Sequence, residues 1–220
     1  MNDFSEIVQK FKANCNPCDR YASFDYCYNY FHPSNKNDLT KNIEKSCLAI
    51  GFYLASWGMF RGSSFMLEKS AKNFEKLIEY IAQLPPTAWE IDADNFNQNN
   101  NSDFLIEQYN RIKEILIKHD NVHLVLVTKI MLGVFASVPA YDSFFTTTLK
   151  NIFKKDCRFT SFNKKSLECI HKFYESNEYA ISNIKNVSRT IDFVTGLETD
   201  LEYSNSKIID MYGFGKSFFK

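Results

Sequence analysis

Lys129 and Asp142 are the residues of this chain whose types and setting most invite chemistry. Lys129 interrupts an apolar run over 124–141, and Asp142 ends that run directly after Val138-Pro139-Ala140-Tyr141. Pro139 forces a break, so Asp142 stands at the opening of a helix predicted over 143–155. An aspartate there is an N-cap, and the same position offers a carboxylate to any pocket beside the helix start. Lys129 has two readings as well. Its stem can lie along apolar neighbours with the ammonium at the edge, or it is a desolvated amine, the form in which lysine is a nucleophile.

A second candidate is Trp57-Gly58-Met59-Phe60-Arg61-Gly62-Ser63-Ser64, which closes an apolar segment over 46–60. Gly58 and Gly62 permit close backbone approach, and Arg61 brings a charge to the edge of that segment. Gly62, Ser63 and Ser64 can begin the next helix, whose free amides and hydroxyls would hold a phosphate or carboxylate. The plainer alternative pairs Arg61 with an internal carboxylate and makes Ser63 or Ser64 an N-cap. Trp57 and Tyr141 are the candidate stacking rings.

Further on, Lys150, Lys154, Lys155, Arg158, Lys164 and Lys165 face only Asp156 across 150–165, with Phe153, Phe159 and Phe162 between them. Cations alternating with aromatics suit phosphates and unstacked bases, and they equally make a solvated face. The first four are the candidate nucleic-acid contacts. Near the N-terminus, Cys15-Asn-Pro-Cys18 precedes Cys27 and His32, a set able to ligate zinc. Cys27 lies among Tyr26, Tyr28, Tyr30 and Phe31, where a cysteine packs instead. Histidines 32, 119, 123 and 171 assemble no Ser-His-Asp set. Gly213-Phe214-Gly215-Lys216 is too short for a P-loop, and no cofactor is expected.

These residues need helices to position them. Leu67, Ala71, Phe74, Ile78 and Ile81 fall on one helical face, as do Leu105, Tyr109, Ile112 and Leu116; Leu167, Ile170 and Tyr174 begin a third stripe over 164–181. Segment 46–60 is apolar all round and predicts a buried helix, with Asp38 as a cap upstream of it. Leu124-Val-Leu-Val127 suits a buried strand as well as a helix, and 207–216 reads as a last helix. Leu84-Pro85-Pro86 stops the helix before it, and the asparagine-rich 87–103 reads as a polar loop.

Acidic and basic side chains balance at 26 each, so no global field draws the chain to nucleic acid or lipid. With 45% hydrophobic and 24% charged residues the chain is neither disordered nor fibrous. Only 7 Gly and 5 Pro argue against a turn-rich all-β protein, and 21 Phe, 12 Tyr and 2 Trp supply a large aromatic core. No signal peptide or bilayer span is legible, so six cysteines are expected as thiols in a soluble cytoplasmic protein. The expected architecture is all-α: one domain over 1–220 with two lobes and a polar loop at about 85–103.

Two local strings resemble known families. Phe52 to Leu67, FYLASWGMFRGSSFML, after SFDYCYNYF at 23–31, looks like a bacterial family of all-helical proteins and brings no function with it. Thr128 to Phe145, TKIMLGVFASVPAYDSFF, is similar to the segment of helix-hairpin-helix DNA glycosylases in which a lysine-bearing helix precedes a short Pro turn and an Asp. In that family the aspartate at the helix start assists loss of the base, and in bifunctional members a lysine attacks the sugar. The hairpin there carries Gly-x-Gly, where this chain has the single Gly133, and Lys129 stands closer to Asp142 than the family's lysine does. The resemblance implies a two-lobed helix-hairpin-helix fold and base excision from DNA by base flipping. Asp142 and Lys129 would be catalytic, Trp57, Arg61, Ser63, Ser64 and Tyr141 would bind substrate, and Lys150, Lys154, Lys155 and Arg158 would hold the backbone. The competing expectation is a non-catalytic helical binding or regulatory protein of a bacterial stress or phage-defence system.

Overall fold

A computed structural model describes residues 3–117 and 123–219. Among them the chain is mostly helical: α1 Asp3–Lys12, α2 Ser23–Phe31, α3 Ile43–Ser56, α4 Glu75–Gln83, α5 Asn101–Leu116, α6 Leu124–Phe135, α7 Ser143–Phe153, α8 Lys164–Asn186 and α9 Asn205–Phe218. Short 3-10 turns cover Arg20–Ala22, Pro33–Asp38, Phe65–Glu68, Ala71–Phe74 and Pro86–Trp89. The predicted stripes of α5 and α8 face inward, with Leu105, Tyr109, Ile112, Leu116, Leu167 and Ile170 buried. Leu124–Val127 resolves as helix. Its neighbours supply contacts on every side, which burial of all residues from Leu126 to Phe135 reflects.

Three expectations are corrected. The face from Leu67 to Ile81 is not one helix: two 3-10 turns precede α4, and Leu67 is 55% exposed while Phe74, Ile78 and Ile81 are buried. Helix α3 is not buried all round, since Leu48 and Phe52 stand out to solvent one turn apart. Asp38 lies in the Pro33–Asp38 turn and pairs with Lys41, and Asn42 precedes α3 in its place. A two-stranded antiparallel sheet, β1 Arg189–Ile191 and β2 Glu198–Glu202, also went unread. Its turn is closed by Asp192 Oδ1, which accepts from the amides of Val194 and Thr195, and by Gly196 at φ +67°.

The core forms one continuous cluster of buried residues from Phe4 to Phe214. Helix α9 packs on α1, α7 and α8, while α2, α3 and α6 pack together. The 85–103 stretch is more than a polar excursion: Ala88, Ile91, Ala93 and Phe96 enter the core. Its Asp92 accepts from the Asn205 and Ser206 amides, both at 2.7 Å, and Ser204 Oγ accepts from the Lys207 amide at 3.0 Å. Three otherwise orphaned donors at the start of α9 are thereby satisfied.

Glycines set two of the helix crossings. A Cβ on Gly133 of α6 would lie 2.3 Å from the Tyr53 ring of α3, and one on Gly213 of α9 would lie 2.4 Å from Phe145 of α7. Tyr53 cannot swing aside, because it is buried and its hydroxyl donates to the Lys129 carbonyl at 3.0 Å. Gly133→Ala gains about 1 kcal/mol of helix propensity but forces overpacking that costs about 1–3 kcal/mol. A net loss is expected, read as a lower thermal midpoint.

Asp25 of α2 fastens the sheet to the helices. Buried, it accepts from the Tyr203 hydroxyl at 2.9 Å and the Ile191 amide at 3.1 Å. Burial pushes its carboxyl up to about 7, opposed by the Tyr203 hydrogen bond and by Lys207. Between the ordinary 3.8 and about 7 the folded chain holds a proton that the unfolded chain has released. Stability therefore falls as pH rises through that window and is unaffected by this group outside it. The expected fall is on the order of a few kcal/mol. Thermal melts from pH 4 to pH 8 should show it, and Asp25→Asn should flatten the profile.

Candidate functional site

Trp57, at the end of α3, Lys129, in the middle of α6, and Asp142, at the start of α7, converge. Asp142 is the N-cap that its sequence position predicts: Oδ1 accepts from the amides of Phe144 and Phe145, each at 3.0 Å. Its other oxygen, Oδ2, lies 3.9 Å from Lys129 Nζ, with both side chains largely buried. Nζ donates to the Trp57 carbonyl at 2.6 Å and lies 5.9 Å from the Trp57 ring centre. One carboxylate oxygen thus anchors the helix, while the second faces an ammonium beyond hydrogen-bond length.

Burial governs the charges of the pair. Desolvation holds the Lys129 ammonium below the ordinary lysine range; Asp142 and Asp210 oppose this, and Arg61 and Arg20 add to it. Desolvation also raises the Asp142 carboxyl, against Lys129 and the capping amides. Beneath them lies a second buried pair, Lys207 and Asp210 of α9, at 3.2 Å. The Lys207 ammonium sits over three rings, 4.2 Å from Phe24, 4.8 Å from Trp57 and 5.2 Å from Phe11. Asp210 Oδ1 accepts from the Ala140 amide at 3.0 Å, fixing the turn that carries Asp142. Neither Lys207 nor Asp210 was singled out from sequence, although acid and base three apart on a helix were legible.

The two aromatic stacking candidates are corrected. Tyr141 is 2% exposed, packed on Phe145, Phe159 and Phe162, and its hydroxyl donates to Ser166. Trp57 is 3% exposed between Phe11, Tyr21, Tyr53 and Phe214, and its Nε1 has no partner among the described residues. Core packing claims both rings. Half-buried Tyr21, stacked 5.1 Å from Phe11 and tilted at the same distance from Trp57, is the more exposed ring of this cluster.

Arg61 does belong to this cluster. Gly58 takes φ +77°, and the Arg61 guanidinium folds back over it, so that a Cβ there would meet Nε at 2.8 Å. Ser63 and Ser64 instead line a separate groove of about 640 Å³ with Glu68, Lys69 and Asn73. Ser64 caps Met66 and donates to the Met59 carbonyl, and the Phe65–Glu68 turn is too short to present an anion site.

Lys150, Lys154, Lys155 and Arg158 are exposed and make no ion pair among the described residues. Lys150, Lys154 and Lys155 stand in the last turn of α7 or just past it, the end of that helix lying roughly 17 Å along its axis from Asp142, and Arg158 follows in the irregular stretch beyond. Phe159 and Phe162 are buried and Phe153 is half-buried against the core and Phe159, so the interleaved rings pack inward. The cysteines are free thiols; Cys15 Sγ donates to the Phe11 carbonyl, and Cys27 is buried. His32 bonds with Ser34, and no group of three metal-ligating side chains gathers among the described residues. His119 lies outside them, while His123 bonds with Tyr109 and His171 with the Ala93 carbonyl.

Compared with protein-family models, curated proteins and solved structures, the chain finds no match. Among the described residues no helix is long and apolar enough to cross a membrane.

Proposed function

We propose that the protein is a DNA glycosylase-like enzyme that cleaves the N-glycosidic bond of a damaged or modified base extruded from DNA. The observation that carries this reading is the divided use of Asp142, with Oδ1 held by two amides and Oδ2, 3.9 Å from Lys129 Nζ, without a hydrogen bond among the described residues. A carboxylate so fixed can stabilise the cationic sugar as the bond from C1′ to the base nitrogen breaks and its electron pair leaves with the base. It can then orient the water that adds to C1′ and take its proton. Lys129, engaged by the Trp57 carbonyl, positions Asp142 and does not attack the sugar. Tyr21 replaces Trp57 and Tyr141 as the ring against which a flipped base would rest.

The test is formation of abasic sites in DNA carrying damaged and naturally modified bases. No release from any of them would remove the reading. The Lys150–Arg158 patch has its own check. Lys154→Ala with Lys155→Ala should weaken DNA binding and flatten its dependence on salt by up to about two in log–log slope. Stability should move by less than about 0.5 kcal/mol. An unchanged slope makes the patch a solvated face.

A second reading, a non-catalytic binding or regulatory protein of a bacterial stress or defence system, is favoured by one surface feature. Leu48, Phe52, Phe193 and Val194 are exposed and line one apolar groove with Tyr26 and Tyr30. Light scattering of the purified protein would address it, and a monomer that releases bases would count against it.

A further inference from the structure

Two helix faces and one turn enclose an apolar groove of about 390 Å³. Helix α2 contributes Ser23, Tyr26 and Tyr30, and α3 contributes Lys45, Leu48 and Phe52. Each set is spaced by three and then four residues, so each lies along one face of its helix. Phe193 and Val194, in the β1–β2 turn, complete the lining, with the Phe193 ring edge-on to Tyr26 at 4.9 Å. A tight turn ordinarily carries polar residues. Here Phe193 is 73% and Val194 87% exposed, while Asp192 Oδ1 holds the amides of Val194 and Thr195. An exposed apolar patch of this kind marks a binding surface.

Two polar groups of the lining are left for a ligand. The Tyr26 hydroxyl donates to the Pro17 carbonyl, and the Tyr30 hydroxyl bonds with Ser46. Lys45 makes no ion pair among the described residues, and its ammonium lies 5.5 Å from the centre of the Tyr30 ring. Ser23 is buried, and its hydroxyl has no partner among the described residues. Ser23 and Tyr30 stand about 10 Å apart along the α2 axis, so the cation and the orphan hydroxyl belong to opposite ends of the groove. Ten residues line it, at most half of the roughly 20–30 that each side of a standard protein interface uses. The volume instead falls in the range of small-molecule sites, which are mostly apolar with a few placed polar groups.

We infer that this groove binds a medium-chain carboxylic acid that carries a hydroxyl or keto oxygen toward its far end. The carboxylate pairs with Lys45, the chain lies along Leu48, Phe52, Phe193 and the two tyrosine rings, and the far oxygen accepts from the Ser23 hydroxyl. A single lysine gives a point charge suited to one carboxylate, whereas a phosphate is better matched by guanidinium forks. A buried donor without a partner is costly, so a ligand oxygen that reaches it gains affinity. The groove shares no residue with the Lys129–Asp142 site, so its ligand is independent of the glycosylase-like reading.

The experiment is titration calorimetry of the whole chain with decanoate, ω-hydroxydecanoate and decanol, each in monomeric solution, with light scattering alongside. Both acids should bind at sub-millimolar concentration, decanol more weakly, and ω-hydroxydecanoate about fivefold more tightly than decanoate. Phe52→Ser, at an exposed position, should lose about tenfold for all three with its thermal midpoint unchanged. Lys45→Gln should lose about threefold for the acids alone. Ser23→Ala removes a hydroxyl that bonds to nothing, so it should erase the advantage of the ω-hydroxyl without lowering the thermal midpoint. No binding of either acid at millimolar concentration, or wild-type affinity in Phe52→Ser, overturns the site. Decanol bound as tightly as decanoate overturns the pairing with Lys45, and equal affinity of the two acids overturns the contact with Ser23. A dimer that Phe52→Ser disrupts, with neither acid bound, overturns the ligand and makes the groove a surface for a second copy of the chain.

Discussion

Asp142→Asn is expected to lower base release by about 10²–10⁴-fold while DNA binding stays near wild type. Asparagine is as good an N-cap as aspartate, so the amides of Phe144 and Phe145 keep an acceptor and α7 keeps its start. What disappears is the negative charge at Oδ2. Lys129 then loses its nearest counter-charge, retains the Trp57 carbonyl, and should give up its proton at lower pH than in the wild type. The wild-type rate should rise with pH through an apparent pKa above the ordinary carboxylate value, because burial raises that of Asp142. Single-turnover kinetics beside an equilibrium binding curve separate the two effects. Full activity in a folded Asp142→Asn protein would end the catalytic role proposed for this carboxylate.

The largest loss of stability is expected from Lys207→Met. The substitution fills a similar volume but leaves Asp210 buried without its ammonium and removes the cation from the rings of Phe11, Phe24 and Trp57. Breaking one side of a buried pair costs about 3–5 kcal/mol. For a chain of this size that lowers the thermal midpoint by roughly 10 °C. Adding Asp210→Asn should recover part of the loss, since asparagine can still accept from the Ala140 amide and no lone charge remains. A double-mutant cycle in urea measures this coupling. If the single variant stayed within about 1 kcal/mol of wild type, the pair would not be the buried anchor described above.

Sequence and structure divide along a physical line. Local rules sufficed for the helical character, the inward faces of α5 and α8, the break at Pro139 and the cap at Asp142, because each depends on neighbours within a turn or two. They failed where partners lie far along the chain. Leu67 carries the right spacing yet faces solvent, since two 3-10 turns interrupt the helix that would have buried it. The β1–β2 hairpin is short, and it is held by Asp25 and Tyr203 across more than 160 residues. Tyr141, Phe159 and Phe162 looked like binding aromatics because an exposed ring and a core ring have the same composition. Only packing on Phe145 and the bond to Ser166 tells them apart. The sequence by itself therefore offered Lys129 and Asp142 as the candidates for chemistry and Arg61 as a candidate for holding substrate. The tertiary structure alone decided that the buried Lys207–Asp210 pair packs against the same Trp57 ring and that Lys150, Lys154 and Lys155 stand at the other end of α7. Burial and through-space charge depend on distances that no spacing along the chain encodes.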